Sequence, residues 1–250
     1  MNDAEAITWL GHASVLIELR GARLLCDPVL GDRVGPLVRI APSVRLSSLG
    51  RVDAVLLSHL HADHTHLGSL RAVAVDVPVI APYPAGKWLR RHGLHNVREL
   101  RVGEQTAVED VPITATEATH ARTRRPFGPA ADPIGYVMSG SATAYFAGDT
   151  DLFAGMAELR SVVDVALLPV SGWGASLGPG HLNPERAARA VEMIRPRLAI
   201  PIHWGTLALG WPARRPVARE APAHAFAAIA RRLAPTVDVR VLGPGERTEL

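Results

Sequence analysis

The chain has 250 residues, of which 48% are hydrophobic, so it can bury one large α/β core or two small ones. No stretch approaches the roughly 18 uninterrupted apolar residues that a membrane-spanning helix requires, which argues against integral membrane association. The formal net charge is only +3, from 27 basic and 24 acidic residues. This small surplus gives no reason to expect a nucleic-acid partner.

Cysteine content and the start of the chain bear on the cellular compartment. Cys26 is the only cysteine, so an internal disulfide is excluded and a reducing compartment is expected. The first residues include the acidic Asp3 and Glu5 and lead directly into a strand pattern, so no signal peptide is visible. The sequence therefore predicts a cytoplasmic protein.

Short β-prone runs dominate the first part of the chain. They predict strands over residues 7–10, 15–19, 23–26, 54–57 and 77–81. Helices are predicted over residues 66–75 and 83–92, the second with Pro84 in its first turn and Gly93 at its end. Residues 31–51 are interrupted by proline and glycine and show no clear period, so they predict a long, functional loop.

Strands and helices continue to alternate through the rest of the chain. Strands are predicted over residues 96–97, 105–109, 112–116, 135–138, 143–146, 164–169 and 237–241. A helix over residues 184–194 has Asn183 at its N-cap and an apolar stripe, and a last helix covers residues 221–233. No linker or composition break separates the two halves, so the pattern predicts the α/β class and a single domain over residues 1–250.

The most informative segment is residues 58–64, Ser-His-Leu-His-Ala-Asp-His, at the end of an apolar run. Side chains two apart in an extended segment point to the same side, so His59 and His61 can face one metal ion together. If the chain then turns into a helix, Asp63 and His64 are directed towards a second position close by. Imidazole and carboxylate groups are ordinary ligands of zinc and related metals. The alternative is a polar turn that is rich in histidine by chance.

Three further metal-ligand residues each follow a β-prone run. They are His120, Asp149 and His203. A sheet that delivers side chains from several strand ends to one edge can bring them together, with the loops carrying the chemistry. The sequence therefore predicts that these residues complete the metal site that begins in residues 58–64.

The motifs follow one another in a characteristic order. His-x-His-x-Asp-His at residues 59–64 is followed by an isolated histidine, by Gly148-Asp149-Thr150 and by a late histidine. In this order they resemble the metallo-β-lactamase superfamily. The segments at residues 8–14, 26–30, 181–185 and 201–206 are similar to the branch that contains N-acyl-phosphatidylethanolamine phospholipase D and ascorbate-6-phosphate lactonase. The resemblance implies a four-layer αββα sandwich, with two mixed sheets and the helices outside.

The resemblance also implies a site for two divalent metal ions, Zn2+ in the first place, with Mn2+ or Fe as alternatives. His59, His61 and His120 would bind the first metal, Asp63, His64 and His203 the second, and Asp149 would bridge both. In such a site a metal-bridging hydroxide cleaves a small phosphodiester, lactone or ester. Residues 31–51 would lie over the mouth of the site.

Residues around these ligands have expected roles of their own. Asp63 and His181 are the predicted catalytic residues, and His181 is expected to donate a proton or bind the substrate; a structural histidine in a glycine-rich turn is the alternative. Asp27 matches an acidic residue of the superfamily that accepts a hydrogen bond from a ligand; an ordinary turn aspartate is the alternative. His12 is a candidate for the floor of the site, with a structural histidine as the alternative, and His66 receives no assigned role.

Two groups of side chains are candidates for substrate contact. Arg122, Arg124 and Arg125 would suit an anionic small-molecule substrate, because clustered guanidinium groups bind phosphate and carboxylate well. Solvated surface arginines are the alternative. Trp173, Trp204 and Phe127 are candidate walls of the pocket, with core packing as the alternative.

Two other functions stay open at this point. A nuclease of the same superfamily would use its arginines along a groove, and an additional nucleic-acid domain would support it. A non-catalytic metal-binding protein that kept the fold would be expected to have lost a ligand, whereas all seven ligand types are present. The sequence leaves the oligomeric state, the native metal and the substrate open.

Overall fold

The structure is a computed structural model that describes residues 4–74, 76–124, 128–174, 177–209 and 219–250. The strands form two seven-stranded sheets and a third sheet of three strands. In chain order they are β1 (Ala6–Gly11), β2 (Ser14–Leu19), β3 (Ala22–Cys26), β4 (Arg33–Val34), β5 (Leu37–Arg39), β6 (Ala54–Leu56), β7 (Val79–Pro82), β8 (Val97–Leu100), β9 (Gln105–Val108), β10 (Val111–Glu117), β11 (Ile134–Ser139), β12 (Thr143–Phe146), β13 (Val165–Pro169), β14 (Leu198–Ile202), β15 (Leu207–Leu209), β16 (Asp238–Val239) and β17 (Arg247–Glu249).

Both large sheets are mixed. The first has the order β17-β1-β2-β3-β6-β7-β8, antiparallel from β17 to β3 and parallel from β3 to β8. The second has the order β16-β14-β13-β12-β11-β10-β9, parallel from β16 to β12 and antiparallel beyond. Parallel neighbours end at the same edge of a sheet. The loops after β3 and β6 therefore share one edge of the first sheet, and the loops after β12, β13 and β14 share one edge of the second.

Helices cover the outer faces of the two packed sheets. They are α1 (Leu67–Val73), α2 (Gly86–Arg91), α3 (Pro184–Ile194) and α4 (Ala221–Leu233). Tyr136 of β11 joins the sheets, since its hydroxyl donates to the carbonyl oxygen of Leu57, just after β6, at 2.7 Å and lies 3.3 Å from that of Ile80 in β7. Leu70 of α1 and Leu89 of α2 are buried against the first sheet, and α3 and α4 pack on the second. The predicted αββα sandwich is confirmed.

The helices of the second half begin and end where the sequence predicts. Asn183 caps α3, because its side chain accepts a hydrogen bond from the backbone of Arg186 at 2.9 Å. The two helices of the first half are shorter than predicted. His66 lies outside α1 as its N-cap, and α2 begins only at Gly86.

The prediction for the end of the chain is wrong. The expected closing strand over residues 237–241 is reduced to β16, and the last strand of the chain is β17, which pairs with β1 at the edge of the first sheet. The Arg-Thr-Glu sequence of β17 is polar and largely exposed. An edge strand of this kind lacks the apolar alternation by which strands are recognised.

Residues 31–51 also contain structure that the sequence pattern does not reveal. β4 and β5 form a hairpin, and β5 pairs with β15, which lies far along the chain. Strands of two or three residues are too short to show a period. The third sheet is formed from these strands, and it joins residues 33–39 to residues 207–209.

None of the helices in the described residues has the length and apolar character needed to cross a membrane.

Candidate metal centre

The seven predicted metal ligands meet at one edge of the two sheets. The first sheet contributes residues 59–64 after β6, and the second contributes His120 after β10, Asp149 after β12 and His203 after β14. Their nitrogen and oxygen atoms form overlapping groups within 4.8 Å, each of a size that could hold a metal ion. The site therefore lies between the two sheets.

The first group consists of His59, His61 and His120. Within it, two ring nitrogens face each other with no hydrogen between them. Nε2 of His61 lies 3.1 Å from the carbonyl oxygen of Thr123, and Nδ1 of His120 lies 2.7 Å from that of Gly180. A carbonyl oxygen can only accept, so both of these nitrogens carry the N–H. The remaining nitrogens, Nδ1 of His61 and Nε2 of His120, are then lone-pair atoms, and they stand 2.9 Å apart.

His59 adds a third lone pair to this group. The hydroxyl of Ser58 donates to Oδ2 of Asp27 at 2.5 Å, so its oxygen can only accept from Nδ1 of His59 at 2.9 Å. Nε2 of His59 is therefore free of hydrogen and lies 3.0 Å from Nδ1 of His61. Three converging lone pairs repel one another unless a cation lies between them.

The second group contains Asp63, His64 and His203, and two of its ring nitrogens also face each other. Nδ1 of His64 lies 2.7 Å from Oδ2 of Asp27, and Nδ1 of His203 lies 2.7 Å from the carbonyl oxygen of Ser171. Both Nδ1 atoms donate, and the two Nε2 atoms face each other at 3.1 Å, so at most one of them carries a hydrogen. Ligand atoms about 2.0–2.1 Å from a tetrahedral zinc ion stand roughly 3.3 Å apart, close to the separations in both groups.

Asp149 lies between the two groups. Its Oδ2 is 3.2 Å from Nε2 of His64 and 3.9 Å from Nε2 of His120, and its Oδ1 is 3.3 Å from Nε2 of His203. The contact with His203 lacks hydrogen-bond geometry, so buried Oδ1 has no hydrogen-bond partner in the structure. A buried carboxylate oxygen without a partner is costly, and a metal ion on it would remove that cost.

Protonation states in the first group favour metal binding. Burial lowers the pKa of His59 well below its ordinary value and that of His120 to about 4. Burial, together with the nearby His64, also lowers the pKa of His61. These imidazoles are therefore neutral at pH 7 and present lone pairs, which is the form that binds a metal.

The acidic residues and His64 behave differently. Burial alone would lower the pKa of His64, but Asp149 and Asp27 outweigh it and raise that pKa well above its ordinary value. Burial alone would raise the pKa of Asp149, but His203 and His64 outweigh it and lower that pKa well below its ordinary value. A carboxylate that stays ionised inside the protein suits a cation between the two groups.

Asp63 has a partner that the sequence did not assign. Its Oδ2 lies 3.1 Å from Nε2 of His12, which places His12 in the same group as Asp63, His64 and His203. His12 follows β1, and its contact depends on a fold that joins residues far apart in sequence. The sequence offered His12 only as a candidate for the floor of the site; in the structure both Gly11 and His12 take a positive φ at the turn after β1.

Asp27 contacts residues of both groups. The backbone N–H and the hydroxyl of Ser58 and Nδ1 of His64 all donate to its fully buried carboxylate. Its backbone has a φ of 39°, in the left-handed region that non-glycine residues seldom adopt. Strained backbone of this kind is concentrated at functional sites.

His181 lies beside Asp149 with its ring edge-on to His120. Its Nε2 is 3.5 Å from Oδ2 of Asp149, and 23% of its side chain is exposed. A cleft of about 730 Å³ opens above these residues. Its lining includes His181, the β4–β5 hairpin and Trp173, so residues 31–51 do contribute to the mouth of the site.

Several other candidate residues of the site lie outside the cleft. Arg122 forms an ion pair with Asp132 at 2.6 Å and is absent from the lining of the cleft. Trp204 is buried and stacks on Trp9, with ring centroids 4.5 Å apart, so it belongs to the core. His66 caps α1 and joins none of the metal-sized groups. The predicted contacts at positions 125 and 127 lie outside the described residues.

Comparison with known proteins gives matches over most of the chain. A family model described as the beta-lactamase superfamily domain matches residues 22–204, which include all seven predicted ligands. A UPF0173 metal-dependent hydrolase of Caldivirga maquilingensis is 31% identical over 245 residues, 96% of each chain. N-acyl-phosphatidylethanolamine-hydrolyzing phospholipase D 1 of Caenorhabditis elegans is 29% identical over 233 residues, 81% of this chain and 64% of that protein. The solved structure of Igni18, a metallo hydrolase of Ignicoccus hospitalis, has a TM-score of 0.74 at 23% identity and covers 99% of both chains.

Proposed function

The chain belongs to the beta-lactamase superfamily domain family, as its motifs predicted, and on this premise we propose that it is a metal-dependent hydrolase with a dinuclear site. The proposed reaction is cleavage of an ester bond in a small phosphodiester, lactone or carboxylic ester. The observation that carries the proposal is the convergence of imidazole nitrogens on both sides of Asp149, hydrogen-free in the group of His59, His61 and His120.

We assign the ligands according to these two groups. His59, His61 and His120 hold one divalent ion, and Asp63, His64 and His203 hold the other. Asp149 reaches both groups and is the proposed bridge. The donor set of imidazole and carboxylate fits Zn2+, which is the expected metal. Ions bound there supply Lewis-acid activation of the scissile bond and of the attacking water.

The chain itself positions the reacting groups and moves the proton. Asp27 orients His64 directly and His59 through Ser58, so one buried carboxylate fixes a ligand of each metal. His181 is partly exposed at the cleft and directs Nε2 towards Asp149. In this position Nε2 can pass a proton to the leaving group as the bond breaks.

The test is hydrolysis of chromogenic phosphodiesters and carboxylic esters by zinc-loaded protein, with Asp149→Asn as the matched variant. We expect metal-dependent turnover that falls by roughly 100-fold or more in Asp149→Asn. Loss of a residue that only orients a metal ligand typically costs about 10–100-fold in activity, and loss of a ligand itself should cost at least as much. Turnover that does not respond to a chelator, or that survives in Asp149→Asn, would contradict the dinuclear hydrolase.

A further inference from the structure

Away from the predicted metal ligands, the walls of the cleft are apolar. The polar residues of the described lining are His181 and the predicted ligands His61, Asp63, His120, Asp149 and His203. The rest of the wall includes Val34, Pro36, Leu37, Ala62, Trp173 and Leu177. Among the lining residues that the structure describes there is no lysine or arginine. The surface beside the reacting atoms therefore suits an uncharged, apolar group.

One wall is firmly built into the fold. β5 pairs with β15, and Val34 and Leu37 pack with Val29 and Leu207 in a small buried cluster of their own. The guanidinium of Arg39, at the end of β5, ties the hairpin to the preceding segment, since Nη2 donates to the carbonyl oxygen of Val29 at 2.6 Å. A preformed apolar wall gives binding energy without the entropic cost of ordering a loop.

Another part of the lining exposes a large aromatic side chain. Trp173 is 43% exposed, and it lines the cleft together with Leu177. An indole ring gives a large apolar contact area and loses little conformational freedom when a ligand covers it. Trp173 is therefore well suited to cover the apolar part of a substrate whose scissile bond lies at the metal ligands.

The described arginines near the site are engaged with other groups. Arg122 is paired with Asp132, as described above. Arg124 turns away from the cleft and donates to the carbonyl oxygens of Leu60 at 2.6 Å and Thr65 at 3.0 Å, with its guanidinium over the Trp88 ring. Neither guanidinium is placed to neutralise a phosphodiester.

We propose, on the premise of the hydrolase above, that the substrate is an uncharged carboxylic ester or lactone with an apolar substituent, in preference to a phosphodiester. In the reaction, the oxygen of water forms a new bond to the acyl carbon and the bond from that carbon to the alkyl oxygen breaks. One proton of water ends on the departing alkoxide, the other is released to solvent as the new carboxylic acid ionises, and no oxidant or reductant is needed.

Binding tests this proposal separately from turnover. The probes are hydrolysis-resistant alkyl amides of increasing chain length and a dialkyl phosphate of matched size, titrated calorimetrically into zinc-loaded protein. We expect amide affinity to rise by up to about fourfold for each added methylene group. The dialkyl phosphate should bind more weakly than the matched amide. A dialkyl phosphate that binds more tightly, or amide affinity that is independent of length, would overturn the substrate class.

Variants locate the binding surface. In Trp173→Ala and Leu177→Ala, amide affinity should depend less steeply on alkyl chain length than in the wild type. The amount of bound metal should stay at the wild-type level, because neither residue is a proposed ligand. Leu46→Ala is the control, since Leu46 is 47% exposed and lies outside the cleft lining. If both cleft variants keep the wild-type dependence, the apolar substituent does not bind there and the proposal fails. Absence of turnover on both ester types would instead count against the hydrolase itself.

A separate observation concerns His12. Its backbone is fixed from three sides: its N–H donates to Oγ1 of Thr206 at 2.7 Å, and its carbonyl oxygen accepts from Nε1 of Trp9 at 2.9 Å and from the backbone of His203 at 2.8 Å. The residue is buried, with a φ of 52°, and its ring centroid lies 3.9 Å from that of His203. This rigid support directs Nε2 at Asp63.

We infer that His12 is a positioning residue, which holds the carboxylate of Asp63 towards the second proposed metal. This inference also rests on the proposed function. His12→Gln keeps an N–H at the position of Nε2, whereas His12→Met has a similar length and no donor. Both side chains are unbranched at Cβ, so both variants carry the same backbone strain, and the pair isolates the hydrogen bond.

The readout is metal stoichiometry and affinity, measured by competition with a chelator. We expect His12→Met to weaken binding of the second metal by about 10–100-fold and His12→Gln to restore most of it, with the first metal unchanged. His95→Met, at an exposed position, is the control. Wild-type affinity for both metals in His12→Met, or an equal loss in the Gln and Met variants, would overturn the positioning role.

Discussion

Asp27 links the two groups of proposed ligands. Its Oδ2 accepts hydrogen bonds from Nδ1 of His64 and from the hydroxyl of Ser58, and that hydroxyl in turn accepts from Nδ1 of His59. One carboxylate thus sets the ring orientation of a histidine in each group. Such partners of ligands contribute strongly to metal affinity, although they do not contact the metal.

Replacing this carboxylate should therefore weaken both sites. We expect Asp27→Asn to lower metal affinity by about 10–100-fold, because an amide nitrogen would face N–H or O–H donors in place of an acceptor. Competition with a chromogenic chelator measures the effect. Asp132→Asn, which removes only a surface ion pair with Arg122, is the matched control. Equal affinity in the two variants would show that Asp27 does not orient the ligands.

The sequence could predict those site residues whose spacing or context is local. His59, His61, Asp63 and His64 lie within one short segment, and the strand-end rule extends to the later residues. His12 could not be assigned in this way, because its contact with Asp63 depends on how distant segments meet. The sequence likewise does not show which way the side chains of an arginine cluster point. In the structure, Arg122 pairs with Asp132 and does not line the cleft.

At the level of elements, α3 is stabilised by Asn183, the capping residue just before it. The side chain of Asn183 accepts from the backbone of Arg186, one of the N–H groups that a helix leaves without a partner. We expect Asn183→Ala to lower the free energy of unfolding by about 1 kcal/mol, measured by urea denaturation. Glu192→Ala, on the exposed face of α3, should change it by less than about 0.5 kcal/mol. Equal effects would contradict the cap.

The carboxylate of Glu5, just before β1, joins the two sheets at an edge remote from the metal ligands. It accepts backbone hydrogen bonds from Ser141 and Ala142, both at 2.8 Å, in the turn between β11 and β12, and from Arg20 at 3.1 Å. Burial alone would raise the pKa of Glu5, but the hydrogen bonds from Ser141 and Ala142 outweigh it and lower the pKa. The ionised form is therefore the stabilising one.

This lowered pKa makes the contribution of Glu5 depend on pH. A carboxyl whose pKa is lower in the folded state stabilises the protein above its unfolded pKa, and that stabilisation is lost as pH falls through the folded value. We expect Glu5→Gln to cost about 1 kcal/mol of unfolding free energy at pH 7 and less as pH falls below about 4. Urea denaturation in EDTA at several pH values tests this. A difference that is constant with pH would contradict it.

Helices and strands could be predicted from the sequence where the apolar pattern extends over a long segment. α3 and α4 have clear apolar stripes and N-terminal prolines, so their bounds were readable. The β4–β5 hairpin and β17 were missed because each strand is too short to show a period. Their existence depends on partners remote in sequence, β15 for β5 and β1 for β17.

At the level of the whole molecule, both large sheets contribute to one buried apolar cluster. Trp9 and Ile17 of the first sheet belong to the same cluster as Tyr136 and Phe146 of the second. Strand alternation alone predicted only an α/β class, because periodicity does not specify which sheet faces which. We propose that residues 1–250 form one domain, since separating the sheets would expose this shared core.

One domain implies one cooperative unfolding transition. Far-UV circular dichroism follows the strands and helices, and tryptophan fluorescence follows buried residues such as Trp9 and Trp204. In EDTA, to exclude metal effects, the two probes should give coincident urea transitions. Two transitions separated in urea concentration would show that the sheets unfold independently and would contradict a single domain.

The central claim is that two groups of ligands, joined by Asp149, hold two divalent metal ions. The most direct test is the metal content of purified protein after zinc loading and gel filtration, determined by mass spectrometry alongside the protein concentration. We expect about two zinc ions per chain in the wild type and fewer in Asp149→Asn. A wild-type protein that retains one ion or none under these conditions would contradict the dinuclear site.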